Sequence, residues 1–511
     1  MRSVLRHVGA ASVLALSLGF CAAGAQASTP PVPVTAAPAT PSVAAVNPNT
    51  AIAIMQATAA MQAGNCKEAM PALTQLWDDA DLQKSDPDMA EQFRFSRVLC
   101  TFQLEDVKAA LALSEQNIRH VGATLSSFDL HVFLLLTDGQ NDAAGLTLEE
   151  AMTRFPADAP NLTDITVMAT MLTQSTEDKR RALLAHLERV HWQLHDASGR
   201  QLIDYLRLDG LRVAVKAGDK PLAELYRADI ANNAYMYALS QGDGDISDPA
   251  VPSMQVVPIV RKQIEDVKTH IANTPTDLLG MRYLVEIERS ADEHELALLQ
   301  LNGILQLIRE NGLDKFDAPN TYPNLAMDRA VLMADIGKLD DALATYKEGA
   351  EKMRGPGTLN FILSYMQFLI DAGRENDALA LESHVDFAGM DADDKRALAT
   401  VEACAYGYMK DTLRFSLAMR AAATPGGIVD PKPFLCAGDT EGAAQALIEQ
   451  INDPASRDDM IMAMQDSKPA IPHSERGRAY VNAWTALKKR PDVVAAAKAR
   501  NIVIRSWLLR Y

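Results

Sequence analysis

Aromatic side chains are scarce in this chain of 511 residues, at 6% of the total, and cationic ones are outnumbered, with 49 Lys and Arg against 66 Asp and Glu. A formal charge of −17 excludes nucleic acid and anionic lipid as main partners, since such a surface repels both. Uninterrupted apolar runs of about eighteen residues are missing too, so no segment reads as a membrane span. No Cys-x2-Cys pair exists to hold zinc. Also absent are Gly-x-Ser-x-Gly, Ser-x-x-Lys, the phosphate-binding Gly-x4-Gly-Lys and the dinucleotide fingerprint. Nothing in the chain therefore announces an enzyme or a cofactor. What remains is an ordinary globular balance, 48% hydrophobic and 23% charged, with few aromatics, as expected of helices packed through Ala, Leu and Met.

The first residues read as an export signal. Arg2 and Arg6 precede the apolar stretch Val13 to Phe20, which runs into Ala25-Gln26-Ala27. Cleavage after Ala27 leaves a net charge of −19, because the leader carries two arginines and no acid. A lipid anchor on Cys21 is disfavoured by Phe20, where a small residue belongs. Residues 28–50 are almost wholly Pro, Ala, Val, Thr and Ser, and read as an extended linker.

Further along, the chain repeats itself. Ala330, Met333, Gly337, Ala342, Tyr346 and Gly349 are followed 36 residues later by Met366, Leu369, Gly373, Ala378, Glu382 and Val385. Self-similarity of this length marks stacked helical hairpins, each needing a neighbour to bury its apolar face. Hairpins are expected at 51–63 with 67–79, at 91–103 with 107–119, and at 128–137 with 141–155. In the third, Gly139, Ala144, Leu148, Ala151 and Pro156 fall at the spacing of a tetratricopeptide repeat. Gly64/Ala69, Gly218/Ala223, Gly337/Ala342, Gly373/Ala378 and Gly438/Ala443 repeat the glycine-alanine pair, so the chain resembles that family in degenerate form. The resemblance implies an all-α, right-handed superhelical solenoid in two halves. The halves are expected at 51–239 and 259–474, separated by a Gly/Asp/Ser/Pro-rich linker at 240–258 and followed by basic capping helices over 475–511.

It also implies that first helices face a guest. Carried onto this chain, the facing positions are Tyr205, Leu208, Arg212 and Val215, then Asn324, Met327, Val331 and Ala334, then Asn360, Leu363, Gln367 and Ile370. Tyr205, Arg212, Asn324, Met327, Asn360 and Gln367 are the candidates with groups suited to gripping a peptide or a helix. The four cysteines of the processed chain allow three pairings. Neighbouring antiparallel helices favour Cys66 with Cys100 and Cys404 with Cys436.

Two weaker constellations carry no site. His191 and His195 stand four apart on an expected helix with no third ligand, and Asp243-Gly244-Asp245 lacks the later glycine and glutamate of a calcium loop. The nine basic residues after Ser474, against two acids, suit either a polar cap or a dock for an anionic partner, the chain's own acidic body included. The function these features support is a non-enzymatic protein-binding scaffold of a Gram-negative cell envelope, periplasmic, without cofactor or metal. The alternatives are an envelope enzyme clamping cell-wall polymer and a structural spacer.

Overall fold

A computed structural model of the chain describes residues 47–194, 200–247, 256–352, 358–385, 387–507 and 510. The leader, Cys21, the linker through residue 46 and His195 lie outside the described residues. The linker expected to reach Thr50 stops earlier. Asn47 caps a helix beginning at Pro48, its side chain accepting from the N–H of Asn49 and Thr50. Proline suits that first position because its missing N–H would have no intrahelical partner anyway.

The described residues hold 26 α-helices and no β-strand. The described residues fall into two compact units, those up to 199 and those from 200 on. Unit 1 comprises α1 (Pro48–Gln62), α2 (Cys66–Leu76), α3 (Ala80–Ser85), α4 (Pro87–Leu104), α5 (Val107–Ile118), α6 (Leu125–Thr137), α7 (Asn141–Arg154), α8 (Asp164–Thr173) and α9 (Glu177–Arg189). Unit 2 opens with α10 (Arg200–Ala217), α11 (Lys220–Ile230), α12 (Ala234–Gly242), α13 (Val256–Asn273), α14 (Leu278–Ser290) and α15 (His294–Asn311). It continues with α16 (Tyr322–Asp335), α17 (Leu339–Lys352), α18 (Leu359–Asp371), α19 (Glu375–Ala380), α20 (Ala392–Met409), α21 (Thr412–Ala422), α22 (Lys432–Ala437) and α23 (Thr440–Asn452). Three further helices close it: α24 (Arg457–Met464), α25 (Glu475–Lys488) and α26 (Pro491–Ala499). No described helix is long and apolar enough to cross a membrane.

One local device builds most of the hairpins. Gly64, Gly139, Gly218, Gly337, Gly373 and Gly438 all have φ between +66° and +81°, a region that only glycine enters without a Cβ clash. In each case the next N–H reaches back five residues to a helix carbonyl, as from Asn65 to Ala60 at 2.9 Å and from Arg374 to Leu369 at 2.8 Å. That bond satisfies a carbonyl the helix cannot, and it turns the chain by a fixed amount. Five residues after each glycine, the alanine is buried to within 2% of its surface, at Ala69, Ala144, Ala223, Ala342, Ala378 and Ala443. A small side chain there lets the two helices cross closely. Apolar clusters then run from hairpin to hairpin; in unit 2 one joins Leu278 through Ala342 and the next Ala330 through Cys436.

Both cysteine pairs are bridged, Cys66 to Cys100 and Cys404 to Cys436, each with Cα atoms 5.1 Å apart. Cys66 opens α2 and Cys100 lies near the end of α4, so the first bridge ties consecutive hairpins.

The division of the chain differs from the one read in the sequence. It falls between Gly199 and Arg200, and residues 240–258 are no boundary between halves. Ser240, Gln241 and Asp243 are buried, and Val256 to Pro258 already belong to α13. Asp243, Gly244, Asp245 and Ser247 serve the turn that follows α12, where such residues are as useful as in a linker. The segment 248–255 lies outside the described residues. His191 also departs from expectation: α9 ends at Arg189 and His191 sits in a turn with φ +58°.

Candidate protein-binding face

In unit 2 the first helices of the hairpins are α12, α14, α16, α18 and α20; α16, α18 and α20 pack as successive neighbours, and ion pairs join α14 to α16. The six candidate residues fare differently on it. Arg212, on α10, is fully engaged by its own unit. Its Nε donates to Asp243 at 2.8 Å, Nη1 to Asp209 at 3.1 Å, and Nη2 pairs with Asp458. Burial opposes the charge, but Asp458 and Asp243 outweigh it and hold the guanidinium above its ordinary range. Tyr205 is half-buried and hydrogen-bonded to Tyr235, with burial raising both phenols. Neither α10 residue is free for a guest.

On α16 and α18 the picture changes. Asn324 and Asn360 lie at the starts of the two helices, Asn360 exposed, and Met327 is half-buried against the core. Gln367 donates from Nε2 to Asp371 Oδ1 at 2.6 Å. The side-chain oxygens of Asn324 and Gln367 are buried without a hydrogen-bond partner, an uncommon condition that a bound group or water would relieve. Ala334 and Ile370, also carried over by resemblance, are core residues at 2% and 0% exposure, as is Leu208 at 0%.

Sequence reasoning missed the charges on this face. Arg282 Nε binds Asp328 Oδ2 at 2.8 Å and its Nη2 binds Glu286 at 2.7 Å; Arg289 Nε binds Asp335 Oδ2 at 2.9 Å. The pairs with Asp328 and Asp335 tie α14 to α16, each across 46 residues. Burial raises the carboxyls of Asp328 and Glu286, with Arg282 opposing. At Asp335 burial works the same way, yet bonding to His473 and Arg289 prevails and the carboxyl is held below its usual range. One sequence signal was available: Asp335 and Asp371 stand 36 apart, each two residues before a turn glycine, within the repeat itself.

A second missed feature is the path of residues 465–510. Each α-helix ends in carbonyls without intrahelical partners and in the negative end of its dipole. The basic segment supplies donors to several of these ends. Val503 N–H and Arg505 Nε reach Gly242 O and Gln241 O on α12 at 2.9 and 3.0 Å. Arg510 N–H reaches Ser290 O on α14 at 3.1 Å, and both Arg510 Nε and Lys468 Nζ bind Asp292, at 2.6 and 2.9 Å. His473 Nε2 meets Asp335 of α16 at 2.9 Å. On α18, Ser474 Oγ donates to Asp371 O at 2.5 Å and Arg476 Nη1 to Ile370 O at 3.1 Å. The Arg476 guanidinium also pairs with Glu375 and lies 4.4 Å over the Tyr408 ring of α20.

The segment is anchored by buried Gln465, whose amide makes four bonds: Nε2 to Ile461 O and Val503 O, and Oε1 from Arg505 N–H and Trp507 Nε1. Gly242 has to be small for this, since a Cβ there would stand 2.6 Å from both Gln465 and Ile461. The expectation of capping helices therefore covers only some of the arrangement. α25 and α26 do pack on the hairpin of α22 and α23, but the flanking segments run along the first-helix ends and dock on the chain's own acidic groups.

On α20, Glu402 sits beside Glu382 of the preceding turn. Burial, and then the Glu382 charge, push its carboxyl up to about 7 from 4.5. A raised carboxyl contributes stability below 4.5 and loses it as pH rises through 7. Glu402→Gln is thus expected to be about 1 kcal/mol more stable than the parent at pH 8, after allowance for solvent screening, and no different at pH 4. Urea unfolding at both pH values checks this.

No protein-family model matches the chain, and no curated protein matches it in sequence. Among solved structures, it is similar to the APC/C hetero-tetramer Cut9–Hcn1 over 88% of this chain and 90% of that one, at 13% identity and a TM-score of 0.28. It is also similar to the TPR domain of P58(IPK), over 86% and 98%, at 13% identity and a TM-score of 0.18. A designed circular tandem repeat protein matches over 88% and 96%, at 12% identity and a TM-score of 0.14. Scores of this size carry no argument about function. The fold is tetratricopeptide-like on its own evidence, the six left-handed glycine turns each followed by a buried alanine.

Proposed function

We propose that the protein is a non-enzymatic interaction scaffold of a Gram-negative cell envelope, holding an extended peptide or helix on the first-helix face of unit 2. The observation that carries the reading is that the C-terminal ends of these first helices already grip a polypeptide segment, by helix-end carbonyls, by carboxylates and by an aromatic ring. Asn324 and Asn360 lie at the opposite ends of α16 and α18 from that segment, with Met327 one turn further along α16, and these are the positions the reading gives to a guest. Two disulfides fit an oxidising compartment and the export signal of the sequence.

The test is capture from envelope extract with the chain beginning at Ser28. Specific partners are expected to fall roughly tenfold on Asn324→Ala/Asn360→Ala, as befits loss of two contact residues. An unchanged set of captured proteins would place the site elsewhere.

A further inference from the structure

Resting on that scaffold reading, we propose that the C-terminal ends of α14, α16 and α18 form a binding edge for an extended cationic segment. Residues 467–476 are its resident occupant, which a partner segment of the same chemistry displaces.

Three observations lead there. The occupant has the form of a bound peptide: residues 467–472 belong to no helix and contain Pro469 and Pro472, so little backbone is hydrogen-bonded within it. Its grip on the edge is electrostatic and directional, with Lys468 on Asp292, His473 on Asp335 and Arg476 on Ile370 O and Glu375. It is anchored at both flanks, by the four-bonded Gln465 and buried Trp507 on one side and by α25, which Ser474 caps and which holds Arg476 in its first turn, on the other. Between them, among the described residues, only Arg510, bonded to Pro469 O, ties it to the rest of the chain's end, so the stretch 467–473 leaves with Gln465 and the body of α25 in place.

The edge also carries a residue whose backbone is costly for the turn alone. Asp292 occupies the place that glycine fills at six other turns, with φ +72°, a conformation that disfavours a side chain. Its N–H bonds back to Arg289 O at 3.0 Å, and the next residue closes the usual five-residue link, Glu293 to Glu288 at 2.9 Å. Glycine would make the same turn at less strain. The carboxylate bonds Arg510, Lys468 and its neighbour His294, and the two cations above all hold it far below its ordinary range. Asp292 is placed for the cationic occupant.

The experiment uses the full chain and a labelled peptide with the sequence of residues 466–478. In the variant Lys468→Ala/His473→Ala/Arg476→Ala the occupant is loosened and the edge left intact. That variant is expected to bind the peptide roughly tenfold more tightly than the parent, by fluorescence anisotropy. Binding should vanish on adding Asp292→Gly, a change that suits the turn, and for a peptide with Lys468→Glu and Arg476→Glu. Equal affinity in variant and parent, or binding of the charge-reversed peptide, would overturn the proposal.

Hydrogen exchange on the parent gives an independent reading should the variant fold poorly. Amides of Ser467 and Ala470 are expected to exchange roughly tenfold faster than those of α16 and α18; equal protection would make the segment a fixed buttress. Failure here, with envelope capture still sensitive to Asn324 and Asn360, sinks this proposal alone. Loss of both sinks the scaffold reading as well.

Discussion

Asp243→Ala is expected to lower the stability of unit 2 by about 3–5 kcal/mol, the usual result of removing one partner from a buried ionic cluster. Asp243 is fully buried and accepts from Arg212 Nε at 2.8 Å, from Arg457 Nη2 at 2.6 Å and from the N–H of Asp245 at 3.1 Å. Its loss takes a buried acceptor from two guanidiniums that cannot shed their charge. Of the two, Arg212 keeps Asp458 and Asp209 and Arg457 keeps Asp245, so Arg457→Ala on top of Asp243→Ala should cost less than the sum of the single changes.

The pH dependence has a definite sign. Burial pushes the Asp243 carboxyl up, Arg212 and Arg457 push it down, and the net effect is a value below 3.8. A depressed carboxyl contributes stability above its unfolded value and loses it as pH falls through the folded one. The gap between parent and variant should be constant from pH 5 to pH 8 and close only in stronger acid, by urea unfolding followed at Trp507. A gap under about 1 kcal/mol at pH 7 would mean the cluster is solvated and of the weak surface kind.

In unit 1 the corresponding weak point is Glu91. Glu91→Ala is expected to cost about 3–5 kcal/mol there. Its carboxylate accepts from Arg94 at 2.9 and 3.0 Å, from Asn117 Nδ2 at 3.0 Å and from Ser127 Oγ. All four residues are within 3% of full burial, on α4, α5 and α6. Arg94 Nη1 already lacks a partner, so without Glu91 the cation keeps only Asn117. Glu91→Gln preserves shape and two acceptor sites and should recover some of the loss. Hydrogen exchange resolved to α4, α5 and α6 is the measurement, and unchanged protection in the alanine variant would refute the estimate.

What the sequence disclosed and what it hid follow from the range of the forces involved. Glycine needed at φ > 0 and alanine needed at a helix crossing are local demands, so Gly337/Ala342 and Gly373/Ala378 were legible from spacing. The bridges Cys66–Cys100 and Cys404–Cys436 followed from the same hairpin geometry. Turns at Asp292 and Lys410, with φ +72° and +58°, were hidden because no glycine marks them. Arg212 looked like a free polar residue on a helix face, since its partners Asp243 and Asp458 lie 31 and 246 residues away. Charge on a helix usually means solvent, and only the fold reveals that Asp328 or Asp335 is walled in. The role of residues 465–510 was legible as basic chemistry and illegible as a path.

The closure of α12 bears on how unit 2 acquires its structure. The carbonyl of Gln241 waits for Arg505, 264 residues downstream, and Arg212 waits for Asp458 across 246. Contacts of such span are slow to find, because the entropy of closing the loop is lost before any contact rewards it. During synthesis the early hairpins must persist with frayed ends until those residues emerge, and a pause or a cut upstream of them would yield a body that is helical yet unlocked.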